Sequence, residues 1–227
     1  MLGSVDKYKT KWETRSILGI DIHLLTLENF EEATDEVIEI LQARNEKDIA
    51  PEACPYFGQI WAAANALAEW VAKNESALKD KKILEIGCGL AMPSIVAAKL
   101  GAHCTCIDLH ADVQYFMKEN LAKNNVQDQI KFLTCDWQTS PTSLATFDLV
   151  MASDVLYENH HAKTLAKFVE KCLSPEGRGV FTDPCRWHHL EFVEELKKLN
   201  LKVSYEYHWT KEEGRDLKLC TIEVSRK

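Results

Sequence analysis

A short apolar run that leads directly into a glycine turn constrains the fold of this chain more than any other stretch. Residues 81–92 read KKILEIGCGLAM, and the isoleucines and leucine are typical of a strand buried on both faces. Gly87 and Gly89 follow at once, and Pro93 suits the first turn of a helix because its missing N–H would be unpaired there. Strand, glycine turn and helix form the nucleotide-binding opening of an open α/β sheet.

The residues around the glycines indicate which ligand this turn would bind. A dinucleotide fingerprint G-x-G-x-x-G needs glycine at position 92, where the chain has Met92. The pattern E-x-G-x-G-x-G is matched by Glu85, Gly87 and Gly89, with Ala91 in place of the third glycine. A carboxylate would repel a pyrophosphate but attract the sulfonium and amino groups of S-adenosylmethionine (SAM). The turn therefore favours SAM, although a purely structural glycine turn would show the same spacing.

Length and charge limit the classes of protein to which the chain can belong. With 227 residues, of which 46% are apolar, it is long enough for one sizeable α/β domain. The net charge of −8 argues against broad contact with nucleic acid or an anionic membrane, and it is compatible with a basic protein or peptide substrate. No apolar stretch reaches the ~18 residues of a membrane span, and the N-terminus lacks the apolar region of a signal peptide.

The cysteines and histidines indicate a compartment and argue against a metal. The chain has eight cysteines but no C-x-x-C pair, which is typical of free thiols in a reducing cytosol. His188 and His189 are adjacent, so they would not share a helix face as a metal pair would. We therefore expect a cytoplasmic protein without a metal site.

Acidic residues follow the next two predicted strands. Asp108 closes the strand over residues 103–107, about 20 residues beyond the glycine motif, where a carboxylate can bond ribose hydroxyls. A helix N-cap is the alternative explanation. Asp136 and Trp137 follow the strand over residues 130–134, and they could bond an adenine amino group and cover its ring.

A fourth predicted strand, over residues 147–152, leads into the segment Ser153-Asp154-Val155-Leu156-Tyr157. In an open α/β sheet, ligand sites gather outside the carboxyl ends of the strands, near the switch in strand order. Asp154 and Tyr157 therefore fall where a substrate would meet a cofactor. A helix N-cap followed by a packed tyrosine is the alternative.

The remaining patterns complete a Rossmann-like α/β fold. We expect seven mostly parallel strands with helices on both faces, and an N-terminal hairpin and helix beside them. Residues 1–50 are predicted to form this extension, with a β-hairpin within residues 14–27 and a helix over residues 30–45. Residues 51–227 are predicted to form the main domain.

The C-terminal half closes the sheet. Gly177-Arg178-Gly179 is predicted to be a turn, and two antiparallel strands over residues 203–208 and 217–224 are joined by the polar segment KEEGRD. Trp61, at the head of an alanine-rich helix, is either a core residue or a ligand wall. Helices are predicted over residues 60–73, 93–100, 111–124, 163–173 and 190–199, and the fifth strand over residues 180–182.

Together these motifs resemble class I, seven-β-strand SAM-dependent methyltransferases. More narrowly, the chain from about Leu24 onward resembles the protein-lysine methyltransferases of methyltransferase family 16. The D-x-x-Y marker of that family is matched by residues 154–157, its D-W pair by residues 136–137, and its tryptophan before the sheet by Trp61. Residues 183–186, Asp-Pro-Cys-Arg, also resemble the D-P-x-R stretch of members that act on electron-transfer-flavoprotein β-subunit lysines.

The resemblance implies SAM as cofactor and methyl transfer to a protein lysine, with Asp154 and Tyr157 facing the substrate nitrogen. A small-molecule amine acceptor and a non-catalytic interaction module of the same fold remain open. An NAD-dependent oxidoreductase is disfavoured by Glu85 and Met92. By the same resemblance, the SAM pocket would be lined by Trp61, Glu85, Gly87, Gly89, Asp108, Leu109, Asp136, Trp137 and Ser153.

Overall fold

The computed structural model describes residues 8–43, 53–139, 145–212 and 214–227. Within these ranges, strands and helices alternate after an N-terminal hairpin, as the sequence predicts. The elements are β1 (Thr10–Ile17), β2 (Ile20–Leu27), α1 (Phe30–Ala43), α2 (Ala62–Lys73), β3 (Lys82–Ile86), α3 (Met92–Lys99), β4 (His103–Asp108), α4 (Val113–Asn124), β5 (Ile130–Thr134), β6 (Phe147–Ser153), α5 (His161–Cys172), β7 (Leu173–Asp183), α6 (His189–Lys198), β8 (Leu201–Glu212) and β9 (Arg215–Arg226).

Seven strands form one sheet in the order β5-β4-β3-β6-β7-β9-β8. The strands from β5 to β7 are parallel, whereas β9 pairs antiparallel with β7 and with β8. This arrangement confirms the predicted fold class. The strand order switches direction at β3, which lies between β4 and β6, so a ligand site is expected beyond the carboxyl ends of these strands.

Two apolar layers attach the helices to the sheet. The first contains residues of α2, α3, α4 and the β1–β2 hairpin, and it includes Ile83 of β3. The second contains residues of α5 and α6, and it includes Leu84 of the same strand. Successive side chains of a strand point to opposite faces, so the continuous apolar run of β3 contributes to both layers.

The predicted N-terminal hairpin is confirmed, and its second strand is fixed by a helix. β1 and β2 pair antiparallel in a two-stranded sheet of their own. The backbone N–H of Leu25 donates to Asn120 Oδ1 (2.6 Å), and the N–H of His23 donates to Asn124 Oδ1 (3.0 Å). Asn124 Nδ2 donates back to the carbonyl oxygen of His23 (2.6 Å). Two buried amides of α4 thus take the place of a neighbouring strand, a contact that no sequence pattern predicts.

The predicted turn at Gly177-Arg178-Gly179 is wrong, because these residues lie inside β7. The pairing of β6 with β7 changes register between Phe147 and Leu149, so the longer segment of β7 bulges out. A Cβ atom on Gly177 would lie 2.7 Å from the carbonyl oxygen of Phe147. The same Cβ atom would lie 2.8 Å from the backbone nitrogen of Ser174, so the glycine marks a close approach of backbones within the segment that bulges out between Leu173 and Arg178.

Other differences concern the ends of elements. The closing strands extend to Glu212 and Arg215, so most of the polar segment KEEGRD belongs to the hairpin strands. The last two residues of the helix predicted over residues 30–45, and the predicted domain boundary at residue 50, lie outside the described residues. Among the helices that the structure describes, none has the length and apolar character that crossing a bilayer requires.

Candidate active site

A cavity of about 440 Å³ opens where β3, β4, β5 and β6 end. It lies at the switch in strand order, where open α/β sheets bind their ligands. Its volume is within the range of small-molecule sites, which is about 300–1,000 Å³. Most of the residues predicted to bind a cofactor or substrate lie on its wall, among them Trp61, Gly87, Gly89, Asp108, Leu109, Asp136, Trp137, Ser153, Asp154 and Tyr157.

The glycine turn closes tightly against neighbouring residues. Gly87 and Gly89 have positive φ values of 62° and 49°, which favour glycine. A Cβ atom on Gly87 would lie 2.7 Å from Val155 Cγ1, and one on Gly89 would lie 3.1 Å from the carbonyl oxygen of Phe57. Ala91 also has a positive φ, 56°, so the third motif position keeps the backbone of a glycine although it carries a side chain. For a residue other than glycine this conformation costs about 1–2 kcal/mol.

Glu85 lies beneath the glycine turn and not on the wall of the cavity. Its side chain is buried, and its Oε2 accepts the backbone N–H of Ser94 in the first turn of α3 (3.1 Å). Burial raises the pKa of this carboxyl to about 8; hydrogen bonds from Ser94 lower it, and the nearby charge of Asp108 raises it further. The structure thus places Glu85 as a support for the helix that follows the turn.

Asp108 links the turn to the end of β4. Its Oδ2 accepts the backbone N–H of Gly89 (2.9 Å), and its Oδ1 accepts the N–H of His110 (3.0 Å). Burial raises the pKa of the carboxyl, and these backbone donors lower it in part. The adjacent Leu109 is exposed on the cavity wall. A carboxylate held in this way is fixed in position and still has lone pairs for a ligand.

Asp136 and Trp137 follow β5, the strand beside β4, and they also line the cavity. Asp136 Oδ1 accepts the backbone N–H of Gln138 (2.8 Å), and its Oδ2 accepts the hydroxyl of Thr139 (3.0 Å). The ring of Trp137 packs edge-on against His161, with centroids 4.9 Å apart. The loop fixes its own aspartate, and the indole remains available as an aromatic wall.

The sequence leaves open whether Trp61 is a core residue or a ligand wall. Trp61 precedes the first residue of α2, it packs against the rings of Phe30 and Tyr56, and it also lines the cavity. Its Nε1 donates to the carbonyl oxygen of Tyr56 (3.0 Å). The indole is thus a packed side chain that also forms part of the cavity wall.

Ser153, Asp154 and Tyr157 lie together where β6 ends. Asp154 has a positive φ of 54°, and its backbone N–H donates to the carbonyl oxygen of Thr182 (2.9 Å). The ring of Tyr157 lies against Tyr56 and His161, with centroids 6.4 and 4.9 Å away. Aspartate tolerates the left-handed conformation better than most residues, although such a conformation often marks a functional site.

Arg186 is a site residue to which the sequence assigned no role. Its Nε donates to Asp154 Oδ1 (2.7 Å), and its backbone N–H donates to Asp183 Oδ1 (2.6 Å). The preceding Cys185 has a positive φ of 58°, which turns the chain toward Asp154. Burial lowers the pKa of Arg186, but the hydrogen bond and charge of Asp154 outweigh burial and raise it. The D-P-x-R resemblance was the signal that could have identified this residue.

A second, smaller cavity of about 290 Å³ adjoins the first. Trp61, Asp154 and Arg186 line both cavities. The carboxylate of Glu212 lines the second, where its Oε1 accepts the backbone N–H of Ala62 at the start of α2 (3.0 Å). The rest of this wall is mostly apolar, formed by Ala62, Ala63, Pro184 and Leu217.

The arrangement suits group transfer between two bound molecules. One cavity is large and lined by aromatic rings and carboxylates, and Asp154 also lines the second cavity. In the part of the chain that the structure describes, no cluster of histidine, cysteine and acidic side chains has the arrangement of a metal site.

The known proteins to which the chain is similar include several methyltransferases. At 31% identity, the chain matches the histone-arginine methyltransferase METTL23 of Xenopus laevis over 46% of this chain and 47% of that protein. It matches the protein N-lysine methyltransferase METTL21A of Xenopus tropicalis at 21% identity, over 66% of this chain and 70% of that protein. The chain spans about half the length of most of the curated relatives that it matches.

Solved structures share the fold, and one family model matches the sequence. A TehB-like SAM-dependent methyltransferase from Corynebacterium glutamicum matches with a TM-score of 0.57 and 16% identity, covering 86% of this chain and 97% of that chain. A model of the lysine methyltransferase family matches residues 34–198, which include the glycine turn, both catalytic candidates and Arg186. Because this match covers well over half of the sequence, the chain belongs to the lysine methyltransferase family.

Proposed function

We propose that this protein transfers the methyl group of SAM to a lysine side-chain nitrogen of a protein substrate. The observation that carries the proposal is that Asp154 lines both cavities. One cavity has the size and walls for the cofactor, and the other offers a mostly apolar passage for a lysine stem. Several relatives, including those from Danio rerio and Arabidopsis thaliana, are named as lysine methyltransferases of other proteins.

The residues of the larger cavity fit SAM. Asp108 would accept hydrogen bonds from the ribose hydroxyls, and Asp136 would accept one from the adenine amino group. Trp61 and Trp137 offer aromatic faces, and the backbone of Gly87 and Gly89 allows close approach. Leu109 and Ser153 complete the wall, and Glu85 contributes from beneath the turn by fixing α3. When bound, SAM supplies an activated methyl group on a positively charged sulfur.

Asp154 and Tyr157 would prepare the acceptor nitrogen. Asp154 would orient the amine and stabilise the positive charge that develops on the nitrogen. Tyr157 offers a phenolic hydroxyl as a second hydrogen-bonding group. Holding the amine in line with the methyl group accounts for most of the rate in such a reaction, because two bound reactants no longer have to meet in solution in the correct orientation. The eight cysteines, which form no disulfide, and the net charge of −8 support a cytoplasmic protein that binds neither nucleic acid nor membranes.

Methyl transfer from labelled SAM into a methyl-depleted cytosolic lysate tests the function. We expect the wild-type protein to label a discrete protein band on lysine. Asp154→Ala should lower the rate by about 10²-fold or more, because the developing charge loses its partner. Binding of SAM, measured by calorimetry, should persist in this variant because Asp154 is not among the proposed cofactor contacts.

Four results would change the assignment. Label only in the small-molecule fraction would identify a small amine as the acceptor. Label on arginine or histidine would assign a different nitrogen, and two relatives are named as methyltransferases of these residues. Turnover by Asp154→Ala equal to that of the wild type would refute the role given to this residue, and SAM binding with no labelled acceptor would favour a non-catalytic module.

A further inference from the structure

A permanent cation stands beside the carboxylate that would meet the acceptor. Arg186 Nε lies 2.7 Å from Asp154 Oδ1, and the guanidinium is half-exposed on the walls of both cavities. Among the described residues of these two walls, Arg186 is the only lysine or arginine. The acids on the same walls are more numerous: Asp108, Asp136, Asp154, Glu158 and Glu212.

The protein backbone fixes this ion pair from both sides. Asp154 and Cys185 both adopt left-handed conformations, with φ values of 54° and 58°, so both turns carry backbone strain. The N–H of Asp154 is bound by Thr182, and the N–H of Arg186 is bound by Asp183. The carbonyl oxygen of Arg186 also contacts the ring Nδ1 of His189 (2.5 Å). These hydrogen bonds hold Arg186 in place, unlike an arginine that moves freely at the surface.

This charge matters because of the chemistry of the acceptor. A lysine amine has a pKa of about 10.4 and carries a proton at neutral pH, whereas only the neutral amine has the lone pair that attacks a methyl group. A carboxylate next to an ammonium favours the charged form, so Asp154 alone would hold the acceptor in its unreactive state. A neighbouring cation opposes this effect.

We propose that Arg186 is a positioning residue that offsets part of the charge of Asp154, so that the acceptor amine is bound as the uncharged nucleophile while the carboxylate still stabilises the charge that develops during transfer. The inference rests on the proposed function, and it explains where the ammonium loses its proton: to water, on binding. In the transfer itself, the nitrogen lone pair forms the N–C bond while the C–S electron pair remains on sulfur. The positive charge moves to nitrogen, and the methylated ammonium releases its second proton to solvent.

Other titratable groups surround the pair and must be separated from the effect. They face Asp154 and Arg186 from the segment before α2, the segment after β6, and from α5, β7, α6 and β8: Tyr56, Tyr157, Glu158, His161, Asp183, His189 and Glu212. A substitution that changes only the charge at position 186 leaves all of these groups in place. The comparison of Arg186→Gln with Arg186→Lys provides this control.

The test measures how the binding of n-butylamine, a lysine side-chain analogue, depends on pH. Calorimetric titrations from pH 7 to 9 would use the full chain, with and without S-adenosylhomocysteine. A site that selects the neutral amine should gain about tenfold in apparent affinity per pH unit, since the neutral fraction rises tenfold per unit below the amine pKa. We expect this slope for the wild type and for Arg186→Lys. Arg186→Gln should bind the ammonium, with an affinity that hardly changes over this range.

Each outcome bears on one proposal or the other. Equal slopes for the wild type and Arg186→Gln, or no binding of n-butylamine by the wild type, would overturn the role of Arg186. A flat profile for Arg186→Lys would also overturn it, because the charge alone should restore the slope. Failure of the wild type to bind S-adenosylhomocysteine would count against the proposed function, while the titrations without this ligand would still test Arg186. Thermal unfolding of the three proteins shows whether Arg186→Gln is folded.

Discussion

At the scale of the residue, the most unusual group is the carboxyl of Glu85. It is buried beneath the glycine turn, and burial raises its pKa to about 8 from an ordinary value of 4.5. The folded protein therefore holds this proton more tightly than the unfolded chain does between about pH 4.5 and 8. A group of this kind contributes most to stability below pH 4.5, and its contribution decreases as the pH rises through that window.

We therefore expect Glu85→Gln to change how stability depends on pH. The glutamine Oε1 can still accept the N–H of Ser94, but it does not titrate. The free energy of unfolding of the wild type should fall relative to that of the variant by up to about 1.4 kcal/mol per pH unit between pH 5 and 8. Urea unfolding at several pH values measures this difference, and Glu69→Gln, at an exposed site on α2, is the control. Parallel curves for the wild type and Glu85→Gln would refute the argument.

At the scale of the element, the contact between α4 and β2 shows how a helix can replace a strand. Asn120 and Asn124 are four residues apart, so they lie on the same face of α4 and meet alternate residues, Leu25 and His23, on one edge of β2. Their amides satisfy backbone groups that an edge strand would leave unpaired. Asn120 also donates to the carbonyl oxygen of Leu90, which follows the glycine turn (3.4 Å). One helix thus connects the hairpin with the region of the candidate site.

Asn120→Ala should destabilise the protein by about 1–3 kcal/mol, because it leaves the buried N–H of Leu25 without its partner. Hydrogen exchange should become faster at Leu25 while the amides of β3 remain protected. Lys118→Ala, on the exposed face of α4, is the matched control and should change stability by less than about 0.5 kcal/mol. An unfolding free energy equal to that of the wild type would show that the amide contributes nothing to stability.

The elements also show which features a sequence can predict. The parallel strands and the cavity residues at their ends were predictable because a strand, a glycine turn and an acid recur in a fixed order. The contact of Asn120 with Leu25 was not, because the two residues are far apart in sequence and asparagine is common on helices for many reasons. The bulge at Gly177 was mistaken for a turn since glycine serves close approach and chain reversal alike. Arg186 was noticed only as part of a motif, because its partner Asp154 belongs to another strand end.

At the scale of the whole molecule, the N-terminal hairpin and the sheet share one apolar layer. Ile22, Leu24, Leu25 and Leu27 of β2 are almost completely buried, in the same cluster as Ile83 of β3. Burying a side chain of this size contributes about 1.5–3 kcal/mol. The four together contribute about 6–12 kcal/mol, which is comparable to the stability of about 5–15 kcal/mol of an entire domain.

We therefore expect a variant that lacks residues 1–28 not to fold. Removal of the hairpin exposes the apolar faces of α3 and α4, and the remaining contacts do not compensate for the missing burial. Near-ultraviolet circular dichroism should show no fixed aromatic signal, and size-exclusion chromatography should show an expanded or aggregated chain. A compact truncated protein with cooperative unfolding would show that the hairpin is an accessory to the sheet.

The positions of the six tryptophans make intrinsic fluorescence a probe of the larger cavity. Trp61 and Trp137 stand on the wall of the larger cavity, whereas Trp187 and Trp209 are 95% and 68% exposed at the surface. A cofactor seated between the first two indoles would change their emission, while Trp187, Trp209 and the exposed Trp12 would add a constant background at longer wavelength. Replacing Trp12, Trp187 and Trp209 by phenylalanine would remove most of that background, so the fluorescence of the protein could report how much of the cavity is occupied, without any label.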